Sequence, residues 1–411
     1  LSTTFKVKAG DTFASIARKR YGTEDEALRV AQANPGALEP LTPGVTLNTP
    51  IAPDAPQDAP QQAASDRDNE VAILINGNRF RFWDSVRITQ AVDSLDTVEF
   101  GAPFEPGIQA FREAFRPFSF ARVEITVGGV PFFTGTMVPV DPAIGRNQTI
   151  VTVGGYSLPG VLNDCTAPAS AFPLEFDGQG LQEIATSLCA PFGLGVEFQA
   201  EQGAIFERVA LNPGKKVLTF LAELAKQRNL IMSNTALGKL LFWQSSEIGA
   251  PVARLQQGSA PVTSVTPFFS PQSYYSHITG LEPVFVGLSG SQFTVKSPRL
   301  VGVIRPYTFE VPDTLDADVK TAVEAKAGRM FGNMAAYLVE VATWRDPSGN
   351  LWAKNTTVML TAPGAMIYKE YEFVIRSIEF SKDRSTEIAV LNLAIPGSFS
   401  GKIPEVLPWD E

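Results

Sequence analysis

Histidine is almost missing from this sequence: its 411 residues include one, His277, and two cysteines, Cys165 and Cys189. That scarcity excludes zinc ribbons, HExxH helices and Cys₂His₂ sites, which need more such ligands than one chain supplies here. Each cysteine sits among small or apolar neighbours, in Asn163-Asp164-Cys165-Thr166 and Ser187-Leu188-Cys189-Ala190, and reads as a buried small hydrophobe rather than half of a bridge. Also lacking is any apolar run near the ~18 residues that a membrane helix needs. The opening Leu1-Ser2-Thr3-Thr4-Phe5-Lys6 has no signal-peptide core, so the expectation is a soluble chain without membrane anchor or Sec export. The Asn-x-Thr triplets at Asn147 and Asn355 would matter only in a secretory compartment, to which nothing here points. Positive charge is short too: 34 Lys and Arg against 43 Asp and Glu leave a formal charge of -9, which disfavours a partner gripped through its phosphates, nucleic acid included.

What is present suffices for several cores. With 44% hydrophobic and 19% charged residues the chain is no disordered segment, and its length predicts two to four domains. The fold class expected is multidomain α+β, mainly β.

Residues 1–52 form a small βααβ module. Phe5-Lys6-Val7-Lys8 alternates as a strand and stops at Gly10, with Thr12 placed to cap a helix whose apolar face is Phe13, Ile16, Ala17 and Tyr21. Gly22 ends it, Thr23 to Glu26 form a capping box for a second helix with Ala27, Val30 and Ala31 inside, and Val45-Thr46-Leu47 is the closing strand. "FKVKAGDTFASIARKRYG", followed by "NP", "PG" and "L.TP" in the usual order, resembles a LysM domain. The resemblance implies a shallow groove for acetylated amino sugars of peptidoglycan or chitin, with Gly10, Asp11, Thr12 and Phe13 on one lip and Asn34, Pro35, Gly36 and Leu38 on the other. Gly10, Asp11 and Asn34 are equally the turn and cap residues that such a fold needs, and the same fold also serves protein docking.

Residues 53–69 have no aliphatic side chain larger than alanine, and Pro53, Pro56 and Pro60 are spaced for polyproline II. This linker would reach roughly 50 Å if fully extended and about 20 to 25 Å as a coil.

From Glu70 the texture changes to short strands: Val71 to Ile75, the Asn76-Gly77 hairpin turn, Val86 to Ala91, Thr97 to Ala102, Arg122 to Val127, Val130 to Val140 and Gln148 to Val153. Residues 70–163 are therefore expected as a first β-barrel domain. Residues 164–260 read as α+β, with amphipathic helices at Leu181 to Phe192 and Val217 to Gln227 and a hairpin over Leu230 to Trp243. Residues 261–400 return to strands around one helix, Asp316 to Met330, and give a second barrel with a helical insertion; 401–411 is a C-terminal tail. The last hairpin, "EFVIRSIEFSKDRSTEIAVLNLAIPG", repeats the layout of "FFTGTMVPVDPAIGRNQTIVTVGGYS", which suggests two related barrels.

From about Ile73 to Phe399 the segments "ILINGNRFRFWDSVRITQAVDSLDTVEFGAPFE", "VEITVGGVPFFTGTMVPVDP", "LQEIATSLCAPFGLGVEF" and "FVIRSIEFSKDRSTEIAVLNLAIPGSF" resemble the Mu-like baseplate hub proteins of contractile-tailed phages. This resemblance implies two tube-like β-barrels per subunit with an α+β domain between them, and a homotrimer. It implies as partners a tail tube or distal tube protein, a central spike and other baseplate proteins, with residence in the virion after assembly in the host cytoplasm. The LysM module departs from the plain hub pattern and adds peptidoglycan as a candidate partner.

The competing reading is a cell-wall hydrolase. His277, the sole histidine base, lies in a strand-like Ser276-His277-Ile278-Thr279; Asp93, Asp96 and Glu99 surround a strand and turn, and Glu310, Asp313, Asp316 and Asp318 surround a helix start, where acids favour the dipole. Gly287-Leu288-Ser289-Gly290 lacks the lysine of a phosphate loop. No catalytic residue, metal or cofactor is expected.

Overall fold

Alternation of buried and more exposed side chains marks strands such as Val71–Ile75 and Ala335–Val341. The computed structural model describes residues 2–21, 27–34, 37, 40–50, 69–145, 149–244, 249–282, 290–297, 299–300, 302–311, 319–398 and 406–410. In the N-terminal module β1 (Ser2–Lys6) pairs antiparallel with β2 (Thr46–Pro50), and α1 (Phe13–Tyr21) and α2 (Ala27–Gln32) lie between them in sequence. Val7, Phe13, Ile16, Ala17, Val30 and Leu47 form its core. The expected capping box at Thr23 to Glu26 lies outside the described residues, as does the linker up to residue 68.

The next strands are β3 (Val71–Ile75), β4 (Asn78–Phe80), β5 (Ser85–Ala91) and β6 (Thr97–Pro103), then a helix unforeseen in the sequence, α3 (Gln109–Ala114), then β7 (Arg122–Val127), β8 (Val130–Ile144) and β9 (Thr149–Ser157). The Asn76-Gly77 turn has φ of +51° and +80°, the paired left-handed geometry that suits a two-residue hairpin. β8 continues to Ile144, beyond the expected turn at Asp141, because Asp141 to Ile144 pair with Thr149 to Thr152.

The α+β portion comprises α4 (Val161–Asp164), α5 (Leu181–Cys189), β10 (Val196–Phe198), α6 (Val217–Gln227), β11 (Ile231–Asn234) and β12 (Leu240–Trp243). α6 buries Val217, Phe220, Leu221, Leu224 and Ala225, the apolar face expected from its spacing. β12 is the middle strand, antiparallel to β11 and parallel to β10, and Phe198 stacks on Phe242 with centroids 4.5 Å apart.

Downstream lie β13 (Ala253–Gln256), β14 (Val262–Phe269), β15 (His277–Leu281), β16 (Gln292–Lys296), β17 (Pro306–Glu310), α7 (Val319–Gly332), β18 (Ala335–Val341), β19 (Thr357–Ala362), β20 (Ile367–Asp383) and β21 (Glu387–Ala394). β15, β16 and β17 form a separate small sheet whose Ile278 packs with Val319, Val323 and Ala327 of α7. β16 and β17 are not among the expected strands, because their inward positions alternate only in Phe293, Val295, Tyr307 and Phe309.

The two β regions, expected as separate barrels, share one sheet of 13 strands. Its main path runs β14-β18-β21-β20-β5-β6-β9-β8-β7-β3-β4. The join is β20 against β5, from Ser377↔Ala91 to Asp383↔Ser85. The two hairpins noted for their similar layout, β8–β9 and β20–β21, are both long and antiparallel, and each has a register shift, at Met137/Val140 and Ile375/Ser377. A single apolar cluster runs through both regions, from Val71 and Phe100 to Trp344 and Leu391.

Two expected boundaries move. Asn69, assigned to the linker, is buried: it donates to Glu387 (2.6 Å), accepts from Arg345 (2.7 Å), and its carbonyl takes Lys382 (3.0 Å). Residues 406–410 are no loose tail. Leu407 is buried, Tyr371 donates to the Val406 carbonyl (2.8 Å), Trp409 stands edge-on to Phe269 (5.7 Å), and Asp410 pairs with Arg299 (2.7 Å).

Among the described residues, the half-buried Ile108 packs against both the module's core and the body's. Such a contact contributes on the order of 1 kcal/mol. Deleting residues 1–68 should therefore leave the melting temperature of the body within a few degrees, as measured by calorimetry.

The strap at 406–410 should respond to acid. The Leu407 N–H and then the Arg299 guanidinium hold the Asp410 carboxyl below its usual 3.8. A depressed value means that the contact is complete above the ordinary carboxylate range and is lost as pH falls through the folded value. Trp409 fluorescence, read against a Trp409→Phe variant, should stay constant from neutrality to about pH 4 and shift below it.

Candidate functional site: the junction of three parts and the N-terminal groove

The β5–β6 turn inserts a carboxylate where the three parts of the body meet. Asp96 is 2% exposed. One oxygen accepts from Lys354 Nζ at 2.7 Å and from the Ala91 N–H at 3.3 Å, and the other accepts from Asn234 Nδ2 at 3.0 Å. Asn234 Oδ1 in turn accepts the Asp96 N–H at 2.7 Å. Lys354 also donates to Ser233 Oγ (2.6 Å), which lies 2.8 Å from the Ala91 carbonyl. Asp96 thus belongs to the first β region, Ser233 and Asn234 to β11, and Lys354 to the turn before β19.

Apolar contacts surround these charges. Val92, Ile231 and Ala394 form a small buried cluster, one residue from each part, with Trp243 against it. Trp243 Nε1 donates to the Val92 carbonyl (3.1 Å), and Lys354 lies 5.8 Å from the indole centroid. At the rim, Arg376 pairs with Asp93 (2.8 Å) and donates to Asn333 (2.7 Å). Burial pushes the Asp96 carboxyl up, while the Lys354 charge and the Asn234 amide pull it back. The geometry anchors the three parts to one another.

Asp93 and Asp96 are each engaged by a cation, Glu99 sits exposed in β6, and Asp313, Asp316 and Asp318 lie outside the described residues, as does Gly287 to Ser289. His277 Nδ1 is 2.8 Å from Ser276 Oγ, which is buried and accepts the Arg305 N–H, so the pair clips a loop to β15. Cys165 and Cys189 are unbridged, and burial raises the Cys189 thiol to about 12, which leaves it inert at neutral pH. Among the described residues no cluster of His, Cys, Asp and Glu could hold a metal, and no helix is long and apolar enough to cross a membrane.

In the N-terminal module the proposed groove residues divide. Gly10 has φ +84° and turns the chain into α1. Asp11 is buried, ion-pairs with Lys19 and accepts the Lys8 N–H at 2.8 Å; the Lys19 bond, then the Lys8 N–H, lower its carboxyl. Thr12 Oγ1 accepts the Ser15 N–H and Ser15 Oγ accepts the Thr12 N–H, a reciprocal cap. Phe13 is in the core. Asn34 donates to the Val30 and Asn48 carbonyls and accepts the Asn48 N–H, all at 2.7 Å, tying the end of α2 to β2. Gly10 and Thr12 are exposed, and Pro35, Gly36 and Leu38 lie outside the described residues.

In the sequence Asp96 is one acid among several, and Lys354, Ser233 and Asn234 carry no motif. Nothing local flags them, since Lys354 meets Asp96 across 258 positions. Removing one partner of a buried pair costs about 3 to 5 kcal/mol. Lys354→Met should therefore lose that much stability in urea unfolding, and Asp96→Asn combined with Lys354→Met should regain most of it.

Comparison with known proteins agrees with the architecture. Residues 159–244 match the second domain of gp44-like baseplate hub proteins. The chain is 25% identical over 308 residues to the baseplate hub protein gp44 of Escherichia phage Mu, covering 72% of this chain and 79% of that one. Among solved structures, the 43 kDa tail protein of prophage MuSo2 from Shewanella oneidensis superposes with a TM-score of 0.70 at 23% identity, over 80% of this chain and 99% of that one. A tail protein from Neisseria meningitidis MC58 gives 0.68 at 19% identity, over 80% and 98%. The chain therefore has the fold of phage tail proteins, is similar to a baseplate hub over most of its length, and at residues 159–244 is similar to the second domain of gp44-like hub proteins.

Proposed function

We propose that this chain is a structural subunit of the baseplate hub of a contractile phage tail or a related injection machine. It would act as a homotrimeric symmetry adaptor between a hexameric tail tube and a trimeric spike. The observation that carries the reading is the single sheet through two similarly built β regions, each contributing a long bulged hairpin. Three copies would present six related β units, so a threefold body could meet a sixfold tube through near-equivalent contacts. A fixed relation between the two regions is what such an adaptor needs, and the β5–β20 pairing with the Asp96–Lys354 junction provides it.

In this reading residues 1–52 are a LysM domain, 70–163 and 261–400 correspond to tube-like barrel units fused edge to edge, and 164–260 is the α+β domain between them. The chain works without cofactor, metal or catalysis, in the virion baseplate. The module docks on a neighbouring tail protein, a reading favoured by Asp11, Phe13 and Asn34 being engaged in the module's own turns and core. Peptidoglycan contact through Gly10 and Thr12 is the other reading.

Light scattering should give a mass three times the 44.4 kDa chain at micromolar concentration or above. A mass of one chain at every concentration contradicts the trimer.

A further inference from the structure

An amine, an amide and a carboxyl meet at the junction, all taken out of water: the Lys354 side chain is 12% exposed, and Asp96 and Asn234 are 2% exposed. The carboxyl stands between the other two. One Asp96 oxygen accepts from Lys354 Nζ at 2.7 Å and the other from Asn234 Nδ2 at 3.0 Å. Nδ2 also donates to the Thr235 carbonyl (3.1 Å), while Oδ1 accepts the Asp96 backbone N–H at 2.7 Å, which polarises the amide carbonyl. Nζ donates as well to Ser233 Oγ at 2.6 Å, so the amine lies against the strand that carries the amide, beside its preceding residue. Val92, Ile231 and Trp243 make the surroundings apolar. An ion pair needs only Lys354 and Asp96; the amide, with its carbonyl on a backbone donor and its nitrogen on the acid, adds an electrophile.

We propose that Lys354 and Asn234 become joined by an isopeptide bond that the folded chain makes on itself, with Asp96 as the proton carrier. The step needs no co-reactant. Lys354 Nζ passes a proton to Asp96, which turns two buried charges into two neutral groups. Burial, against the pull of the Lys354 charge, already pushes the Asp96 carboxyl up. The freed electron pair of Nζ attacks Cγ of Asn234, and the charge developing on Oδ1 falls on the Asp96 N–H. A carboxyl that holds the nucleophile on one oxygen and the leaving nitrogen on the other can move a proton between them. Nζ loses its second proton through Asp96 to Nδ2, the Cγ–Nδ2 bond breaks, and ammonia leaves. The first proton stays on Asp96, which ends as a neutral acid beside the new amide. Nothing is oxidised or reduced, and the reaction is a single turnover on the chain itself. Its product ties β11 of the α+β portion to the turn before β19, so the seating of these parts becomes covalent. This inference is independent of the trimer proposed above.

The test is intact mass spectrometry of the full chain, denatured after folding and prolonged incubation at neutral pH. The parent should be lighter than its sequence by one ammonia, and a protease digest should yield a branched peptide containing both Lys354 and Asn234. Lys354→Arg keeps the charge beside Asp96 but has no amine to attack with, and Asp96→Asn removes the proton carrier; both should keep the full sequence mass. The parent alone decides if either variant fails to fold. A parent at its full sequence mass overturns the proposal. So does a loss of one water with Lys354 linked to Asp96, which makes the acid the acceptor, and so does an ammonia loss that persists in Lys354→Arg or maps to Asn76-Gly77. Asn234→Ala keeps both charges and cannot link, so it is the reference for the stability changes expected of the ion pair.

Discussion

The body depends on one strand doing two jobs. β20 is 17 residues long; its first half pairs with β19, and from Ser377 it runs between β21 and β5. The register shift between Ile375 and Ser377 against β21 marks the change. A bulge bends and twists a strand locally, which lets one chain segment serve two curved regions. Without the β5 pairing the first region would expose the edge of β5 and the second the edge of β20, and open edges invite wrong partners.

The polar junction settles a different question, the seating of the α+β portion on that sheet. Apolar burial is non-directional: Val92, Ile231 and Ala394 would tolerate sliding. Asp96 and Lys354 would not, because a buried charge out of register with its partner carries the full desolvation penalty. The Asn234 amide, reading both the Asp96 N–H and its carboxylate, fixes the register further. Packing thus supplies the contact area and the ion pair supplies the position.

Local periodicity made much of this legible from the sequence alone. The apolar face of α6, the alternation in β3, β5, β7 and β21, and the Asn76-Gly77 turn all follow from rules that act within ten residues. What escaped was non-local. β5 meets β20 across nearly three hundred residues, and neither strand's pattern names its partner. Helix α3 was hidden by its shortness and by four phenylalanines that fit no single period, two of which point outward. Asn69 and the 406–410 strap were misassigned because their anchors, Arg345, Glu387, Tyr371 and Arg299, lie far away in sequence. In the N-terminal module, the hydrogen bonds of Asp11 and Asn34 go to the module's own backbone at its turns, and such pairings carry no local periodicity.

The place of the chain in an assembled particle decides whether it is a hub. An electron-microscopy reconstruction of tails carrying this protein should place three copies at the end of the tail tube, directly above the spike, with both β regions lining one continuous ring. Density for the chain on the outer baseplate or on fibres, or in a number other than three around the axis, would contradict it.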